Sequence, residues 1–435
     1  MEPCEANLRR ISSEQIVFVL FCTLWLLNIM QHVPSFYRTN FLGDENVYLS
    51  IAHDMGWDCS RYTTMHMPAF KDWPNSIYQQ PLFHHGPVLP YVLKIGAEFK
   101  APVAAAMVFA NLCMAVFFLQ IRRLMLILGI PPAWRVFAYV GAATGPLLLF
   151  STTRLHHDAI AGLLIASGLI AFVDAIQTNS KWRAVGSGLL LSLALNSRFN
   201  AILVLPVLVG FQFYALCIAG SPDTRKSNTG ILCPAWKFHL RDPKRWVVFL
   251  IVATIVATIG MQHFYRLLAT YGTLNPKSFM IADPNDRWVQ TMWNRTRWQM
   301  LLSLIALLPI LLMFMSTSPY KSLMSGLRKG SWAPAFAFSC LFFFAVTYAF
   351  VFRELRHYAL ATPLLYCCLP YFFMNSSGRR LSVNVALAVV MVFSNIWTAN
   401  VYLVVVKNQV AWIVPSIYQY LPFLMPLYGP IGVSP

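Results

Sequence analysis

RLHHDAIAGLLIASGLIAF, residues 154–172, places several ionisable side chains directly before a long apolar stretch. The apolar stretch that opens at Asp158 runs to about residue 177, which is long enough for a helix to cross a lipid bilayer. Ionisable groups at the end of a membrane span are costly unless they face a cavity or a partner. The sequence therefore predicts a transmembrane helix whose polar start meets other polar groups at the membrane surface.

Apolar residues dominate the rest of the chain in the same way. Of the 435 residues, 57% are hydrophobic and only 11% are charged, and the mean hydropathy is +0.57. A soluble domain of this length could not bury so much apolar surface, so we predict an all-α integral membrane protein. The formal net charge of +17 has a topological explanation in the basic loops, and no nucleic-acid partner is expected.

Hydropathy along the chain indicates about eleven membrane spans. They lie near residues 15–34, 101–120, 134–151, 158–177, 184–196, 199–219, 247–264, 299–316, 332–352, 358–374 and 381–405. The segment 184–196 is too short to cross alone, and we expect it to form one arm of a short helical pair that turns at Asn196–Arg198. The first segment is too long for a signal peptide and has no cleavage site, so we expect it to be retained.

Basic residues cluster in every second connecting segment, so they all fall on one side of the membrane, which is the pattern that orients a membrane protein. Arg9 and Arg10 place the N-terminus in the cytosol, and Arg122-Arg123 falls on the same side. We predict a single transmembrane domain over residues 1–435, whose first luminal loop carries short helices. Its segments are a first luminal or periplasmic loop at 35–100, a basic cytosolic loop at 220–246, a second luminal loop at 265–298 and a luminal C-terminal tail at 406–435.

Polar residues concentrate on the non-cytosolic side of this topology, where every histidine except His239 lies. Guanidinium groups bind phosphate through charge-assisted bonds, and a carboxylate accepts a proton from a hydroxyl group. Such a set at a membrane surface suits an anionic lipid head group. The five clusters are Asp44-Glu45; residues 78–87 with His84 and His85; residues 153–159 with Arg154, His156, His157 and Asp158; residues 196–200 with Arg198; and residues 352–358 with Arg353, Arg356 and Tyr358.

Each cluster alone also has a purely structural interpretation. The pair Asp44-Glu45 is typical of a solvated helix start, where the helix dipole favours acids. Asp158 is a suitable N-cap for the span that follows it. Arg353 and Arg356 are equally explained by side chains that extend to the membrane surface or pair with a neighbouring acid. The order of the clusters and their common side favour one shared site.

In this order the motifs resemble the GT-C superfamily of polytopic glycosyltransferases, which use polyprenyl- or dolichyl-phosphate sugars. The resemblance covers most of residues 15–375 and is strongest to the protein-mannosyltransferase and bacterial aminoarabinose-transferase branch. RELRHY, residues 353–358, is similar to the His-Lys-Glu-x-Arg-Phe box of the mannosyltransferases of the endoplasmic reticulum, although Phe352 and His357 differ from it. The matching pieces are LGDENVYLSIAHDM (42–55), QQPLFHHGPVLPYVLK (79–94), RLHHDAIAGLLIASGLIAF (154–172), LALNSRFNAILVLPVL (193–208) and RELRHYALATPLLY (353–366).

The resemblance implies a GT-C-like fold with a luminal active site in which Asp44 is the catalytic base. Glu45 would assist it, and Asp158 would be a second acid that orients the acceptor or a metal ion. The departing phosphate would be held by Arg154, Arg198, Arg353 and Arg356, with Tyr358 lining the donor site. Further contacts to substrate or metal would come from His84, His85, His156 and His157. A divalent cation, Mg²⁺ or Mn²⁺, is compatible with this set without being required by it.

The expected reaction is inverting transfer of a hexose, with mannose preferred, from a dolichyl- or polyprenyl-phosphate sugar to a luminal acceptor that the sequence does not identify. The sequon Asn294-Arg295-Thr296 in a predicted luminal loop favours the endoplasmic reticulum membrane, with a bacterial inner membrane as the alternative. The competing function is a transporter or flippase for an anionic lipid-linked or sugar substrate. That function would place polar residues near the middle of several spans, whereas here they gather at one surface.

Overall fold

The computed structural model describes residues 44–64, 85–145, 157–219, 242–274, 330–349 and 359–374, together with residues 82 and 155 and single positions within 15–26 and 382–390. For Asp44 it describes the backbone only. All regular secondary structure in these ranges is helical, as the composition predicts. The predictions that fall on Arg154, His84, His156, Arg353, Arg356 and Tyr358 lie outside the described residues.

Two short helices come first, in the segment predicted to be the first luminal loop, and longer helices follow. In chain order the helices are α1 (Asp44–Asp54), α2 (Val88–Glu98), α3 (Pro102–Ile127), α4 (Pro132–Thr144), α5 (His157–Thr178), α6 (Lys181–Leu195), α7 (Val204–Ala219), α8 (Pro243–Ile255), α9 (Gln262–Tyr271), α10 (Ala333–Ala349) and α11 (Thr362–Met374). A 3₁₀ helix, Phe199–Leu203, precedes α7, and a π-helical segment, Val256–Gly260, follows α8.

Within the described residues, four helical segments are long and apolar enough to cross a membrane, and they support a membrane protein. They are Pro102–Ile127, His157–Thr178, Phe199–Cys217 and Pro243–Gly260. Ala333–Val346 is a shorter apolar helix. The described part of the chain thus accounts for four of the eleven predicted spans by length and composition, and the total of eleven stays a prediction.

Helix α5 lies at the centre of the described bundle. Every residue from His157 to Ile176 is buried, as expected for a helix that is apolar on all sides and packs against several neighbours. Its neighbours include α3, α6, α8 and α11. At Gly162 the contact is so close that a Cβ atom would lie 2.0 Å from the carbonyl oxygen of Ala359. Glycine is therefore required where α5 meets the start of α11.

The two ends of α5, which lie about 33 Å apart along the helix axis, hold different polar groups. At the C-terminal end, Asp174 Oδ1 accepts hydrogen bonds from Arg123 of α3 at 3.0 Å and from Arg183 of α6 at 2.7 Å. Arg123 and Arg183 belong to basic segments that the sequence assigns to the cytosolic side. We call this end of the bundle the basic end, and the end where α5 begins the site end.

The chain turns back at the site end between α6 and α7, at the predicted Asn196–Arg198 turn. Asn196 Nδ2 donates to the carbonyl oxygens of Ile259 at 2.9 Å and Gly260 at 3.2 Å. These two residues end the π-helical segment, whose wider turns leave carbonyl groups without the usual partner. The Asn196 amide thereby fixes the segment after α8 to the turn that presents Arg198.

Candidate active site

Glu45 and Asp158 are buried acids at the site end of the bundle. Glu45 lies in the first turn of α1, and its carboxylate, 1% exposed, accepts a hydrogen bond at 3.3 Å from the backbone N–H of Leu155. Asp158 lies in the first turn of α5 and is also buried. This bond holds the start of α1, which is Asp44-Glu45, against the residues that open α5.

Arg198 projects from the turn between α6 and the 3₁₀ helix and compensates the charge of Asp158. Its Nε lies 3.1 Å from Asp158 Oδ1, and the two side chains are 7% and 1% exposed. A buried ion pair of this kind is stable only when further hydrogen bonds satisfy the charged groups. The Nη1 group of Arg198 supplies two of these, to Nε2 of His85 at 3.3 Å and to Nε2 of His157.

Tyr48 connects the same two imidazole rings on their other side. Its hydroxyl oxygen lies 2.8 Å from Nδ1 of His85 and also contacts Nδ1 of His157. A guanidinium group can only donate, so the Nε2 atoms that face Arg198 act as acceptors and the ring protons lie on Nδ1. Tyr48 then accepts from both rings, which fixes the tautomer of each histidine.

The imidazole of His85 is held in place by contacts to its backbone. The Tyr62 hydroxyl donates to the carbonyl oxygens of His85 at 2.9 Å and Gly86 at 3.0 Å. Burial raises the pKa of Tyr62 well above its usual value, so the phenol stays protonated and keeps donating. A Cβ atom on Gly86 would lie 2.0 Å from the carbonyl oxygen of Asn196, so residues 85–88 pack directly on the turn that carries Arg198.

The structure thus brings together five residues that the sequence marks as site candidates and that come from four separate segments. They are Glu45, His85, His157, Asp158 and Arg198. We call them, with Tyr48, the polar cluster. Sequence analysis missed Tyr48, although its position three residues after Glu45 puts it on the same face of α1. It also missed Tyr62, which no sequence motif marks.

The described members of the polar cluster do not form a metal site. Within the described ranges, no group of three or more His, Cys, Asp or Glu side chains is placed to hold a metal ion. The reason is visible in the geometry, since the Arg198 guanidinium donates to the Nε2 lone pairs of His85 and His157 that would otherwise face a cation. A positive group there repels a second one. In the structure, His85 and His157 are therefore both oriented by the Arg198 guanidinium.

No protein-family model matches this chain, and no curated protein matches it. Two solved structures that are similar to it are both of the oligosaccharyltransferase of Archaeoglobus fulgidus. The one in complex with Zn and sulfate is 14% identical with a TM-score of 0.49, over 88% of this chain and 52% of that one. The one tethered by a disulfide bond to an acceptor peptide with the NVT sequon is 13% identical with a TM-score of 0.47, over 99% of this chain and 60% of that one. This chain spans about half the length of the first, and at this similarity neither assigns it an activity, substrate or metal.

Proposed function

We propose that the protein is a membrane glycosyltransferase that moves a hexose, with mannose as the preferred sugar, from a polyprenyl- or dolichyl-phosphate donor to an acceptor at the site end. One observation carries the proposal. The polar cluster holds the start of α1, with Asp44-Glu45, against the start of α5, with Asp158, at the end of the bundle opposite the basic end. Buried ionisable networks of this kind are expensive in a membrane protein and mark functional sites.

The chemistry follows from the residue types that this arrangement holds together. The Asp44 carboxylate takes the proton of an acceptor hydroxyl as the hydroxyl oxygen attacks the anomeric carbon of the donor. The bond between the anomeric carbon and the phosphate oxygen breaks, and the lipid phosphate leaves with the electron pair. Attack opposite the leaving group inverts the configuration. Each proton and electron pair is accounted for without a further reactant.

The remaining residues divide into those that position the acids and those that hold the phosphate. Glu45 fixes the start of α1 through Leu155, so it positions Asp44. Arg198 positions Asp158 and the two imidazoles and adds positive charge to the field at the site. Arg154, Arg353 and Arg356, with Tyr358, are the proposed contacts to the departing phosphate, where bidentate arginine bonds stabilise the developing charge.

The test is a transfer assay with radiolabelled polyprenyl-phosphate mannose and polyprenyl-phosphate glucose, supplied to membranes that contain the full-length protein. We expect label on an acceptor with the wild type, none with Asp44→Asn, and a reduced rate with Glu45→Gln. Asp54→Asn is the matched control, because Asp54 lies at the other end of the same helix, where its carboxylate bonds to the exposed imidazole of His53. Normal turnover of Asp44→Asn would remove Asp44 from the mechanism.

The same membranes separate the enzyme from the competing transporter. A fluorescent polyprenyl phosphate is placed in one leaflet of proteoliposomes, and its movement to the other leaflet is followed by quenching with dithionite. We expect no protein-dependent movement. Movement of the lipid by a wild-type protein that transfers no sugar would favour the transporter over the enzyme.

A further inference from the structure

Residues 55–64, which we call the Trp57 loop, join α1 to the segment that carries His85 and display a set of exposed side chains. The residues that point inward are Met55, Cys59, Tyr62 and Thr64, all buried. Those that face outward are Trp57, Asp58, Ser60 and Arg61. An indole, a carboxylate, a hydroxyl and a guanidinium group thus lie within five consecutive residues on the outside of the loop.

The backbone of the Trp57 loop is fixed in one conformation. The N–H of Gly56 donates to the carbonyl of Ser60 at 2.9 Å, and the N–H of Cys59 donates to the carbonyl of Gly56 at 2.9 Å. Cys59 and Arg61 have φ values of 63° and 53°, a left-handed conformation that non-glycine residues adopt only where the surroundings impose it. Arg266 of α9 supplies such a constraint, since its Nη2 donates to the Cys59 carbonyl at 2.9 Å.

Trp57 is oriented by α2 while most of its side chain remains in solvent. The Tyr91 hydroxyl donates to the Trp57 carbonyl at 2.8 Å, and the two rings lie 6.4 Å apart at an angle of 25°. Burial raises the pKa of Tyr91 to about 12, so its hydroxyl stays a donor at neutral pH. The Lys94 ammonium lies 5.2 Å from the centre of the indole, and Trp57 is still 55% exposed. Scattered exposed aromatic residues need no explanation, but this one is held by three separate contacts.

Asp58 gives the indole an anionic neighbour with a fixed orientation. Its Oδ1 accepts a hydrogen bond from the Ser60 N–H at 3.0 Å, and the Ser60 hydroxyl also bonds to the carboxylate. These bonds hold the pKa of Asp58 below its usual value, so the side chain is an acceptor for hydroxyl groups at neutral pH. The Arg61 guanidinium acts on the same carboxylate, and the Lys94 ammonium lies over the neighbouring indole.

A sugar ring is the ligand that needs this combination. The C–H groups on one side of a pyranose carry a small positive charge and pack on the negative face of an indole, as ring edges do in aromatic pairs. Its hydroxyl groups donate to a carboxylate and accept from cationic side chains. We propose that the Trp57 loop is a saccharide-binding subsite, with Trp57 as the stacking platform and Asp58 as the hydroxyl acceptor.

The Trp57 loop is connected directly to the polar cluster, which gives the bound saccharide a place in the reaction. The Tyr62 hydroxyl at the end of the loop donates to the carbonyl oxygen of His85, whose imidazole is part of the cluster. A saccharide on Trp57 is therefore held at a fixed separation from the site. The role of this saccharide as the acceptor of the transfer rests on the proposed function, whereas saccharide binding at Trp57 does not.

An exposed tryptophan could instead anchor the protein in the lipid head groups, where Trp side chains are common. The Asp58 carboxylate argues against that role, although Arg61 and Lys94 would attract lipid phosphates. The exposed Asp58 carboxylate lies next to Trp57 in the chain, and anionic lipid phosphates would repel that carboxylate. A membrane anchor of the same size would gain nothing from an ordered acid beside the indole.

The test measures binding without any donor lipid, on the full-length protein in nanodiscs of phosphatidylcholine. The probes are oligosaccharides that end in mannose, glucose, galactose or N-acetylglucosamine, and their binding is read by saturation-transfer NMR. We expect at least one probe to bind. Trp57→Ala should weaken that binding roughly tenfold, which is the scale of one aromatic contact, and Trp57→Phe should restore much of it.

Trp182→Ala is the matched control, because Trp182 is 85% exposed at the basic end and should leave binding unchanged. Asp58→Asn should weaken binding, and thermal melting of each variant separates lost binding from lost folding. Binding of no probe to the wild type, or equal binding by wild type, Trp57→Ala and Trp182→Ala, would overturn the subsite. Quenching of Trp57 by brominated phosphatidylcholine, with saccharide binding unaffected by Trp57→Ala, would identify a membrane anchor instead.

The outcome of the saccharide-binding measurement does not depend on the proposed reaction. Asp44→Asn removes the proposed base and leaves the side chains of the Trp57 loop unchanged, so this variant should still bind the saccharide through Trp57. Saccharide binding together with normal transfer by Asp44→Asn would contradict the proposed mechanism alone. Transfer that depends on Asp44, without any saccharide bound at Trp57, would contradict the subsite alone.

Discussion

Asp158 and Asp174 lie about 24 Å apart along the axis of the same helix, α5, and each is bound by arginine from a neighbouring segment. At Asp158 both partners are buried, with Arg198 7% and Asp158 1% exposed. At Asp174 the acid is 8% exposed, but Arg123 and Arg183 are 41% and 42% exposed. One ion pair is enclosed by protein, and the other is an acid held by two arginines that still reach solvent.

The surroundings of the two acids differ as much as their exposure. Asp174 ties three helices together at the basic end, where the arginine side chains donate to the acid and to Thr178. Arg198 instead continues from Asp158 to two imidazoles, which in turn meet Tyr48. Holding three helices together requires only one acid and its arginine partners. The additional groups at the site end have no such structural need, which is why we assign chemistry to that end alone.

The largest expected effect is that of Arg198→Met. The substitution leaves the Asp158 carboxylate buried without its counter-charge, and breaking a buried pair in this way costs about 3–5 kcal/mol in the free energy of unfolding. We expect a strongly lowered melting temperature in detergent and no sugar transfer.

The double variant Asp158→Asn/Arg198→Met is the control for Arg198→Met. Because it removes both charges, it should recover much of the lost stability but none of the transfer activity. A double variant as unstable as Arg198→Met would show that packing of the arginine, and not the uncompensated charge, holds the site end together.

Tyr48→Phe should have the next largest effect. It removes the oxygen that accepts from the two imidazole rings, and a buried donor without its acceptor costs about 1–3 kcal/mol. Tyr265→Phe is the matched control, because the exposed Tyr265 hydroxyl donates to the Ala257 carbonyl at the surface, and we expect a change of about 0.5 kcal/mol or less. Equal melting temperatures of the two variants would argue against a shared role of the rings.

The sequence predicts the helices and turns that carry these acids and arginines better than it predicts which side chains pair. The apolar length after Asp158 correctly predicts α5, and the polar Asn196–Arg198 interruption lies where the chain turns. That Asp158 meets Arg198, or Asp174 meets Arg123, is not encoded in local spacing, since partners on different helices are chosen by packing. The π-helical segment after α8 is hidden for the same reason, because the amide of Asn196 that binds its carbonyls lies more than sixty residues earlier.

Motifs predicted several members of the polar cluster, and physical reasons explain those that were missed. His157 was predicted because ionisable residues at span ends are rare and conspicuous. His85 and Arg198 were predicted because they belong to polar clusters on the same side of the predicted topology. Tyr48 and Tyr62 are aromatic residues in a chain with 18 tyrosines, so neither stands out by composition. Their roles depend on where their hydroxyl groups point, which only the packed structure determines. The GT-C-like arrangement of the whole chain stays a prediction of the motifs.

Asp174→Asn should have a smaller effect than either substitution at the site end. Both arginines keep their contact with solvent when the charge is lost, and ion pairs with exposed partners contribute about 1 kcal/mol or less. The salt dependence of the melting temperature should distinguish Asp174 further from Asp158. We expect the difference in melting temperature between wild type and Asp174→Asn to shrink in about 1 M NaCl, where charges are screened beyond roughly 3 Å.

The destabilisation by Arg198→Met should persist at the same salt concentration, because bulk ions do not screen a buried pair. A salt-independent effect of Asp174→Asn would mean that the basic end is as enclosed as the site end, and it would remove the distinction between the two acids.

The smallest expected effect is that of Asp58→Asn, a substitution at a fully exposed acid that completes the series from buried to solvated carboxylates. Hydrogen bonds from Ser60 lower the pKa of Asp58 below the unfolded value of 3.8, so the ionised carboxylate favours the folded state. This contribution is fully present above pH 3.8 and is lost as the pH falls through the lower folded pKa. Wild type should therefore melt slightly above Asp58→Asn at neutral pH, and the two should converge as the pH falls below the folded pKa of Asp58. A difference in melting temperature that stays constant over this range would show that Asp58 stabilises the Trp57 loop through its shape and not through its charge. The decrease in effect from Asp158 through Asp174 to Asp58 would then not be electrostatic.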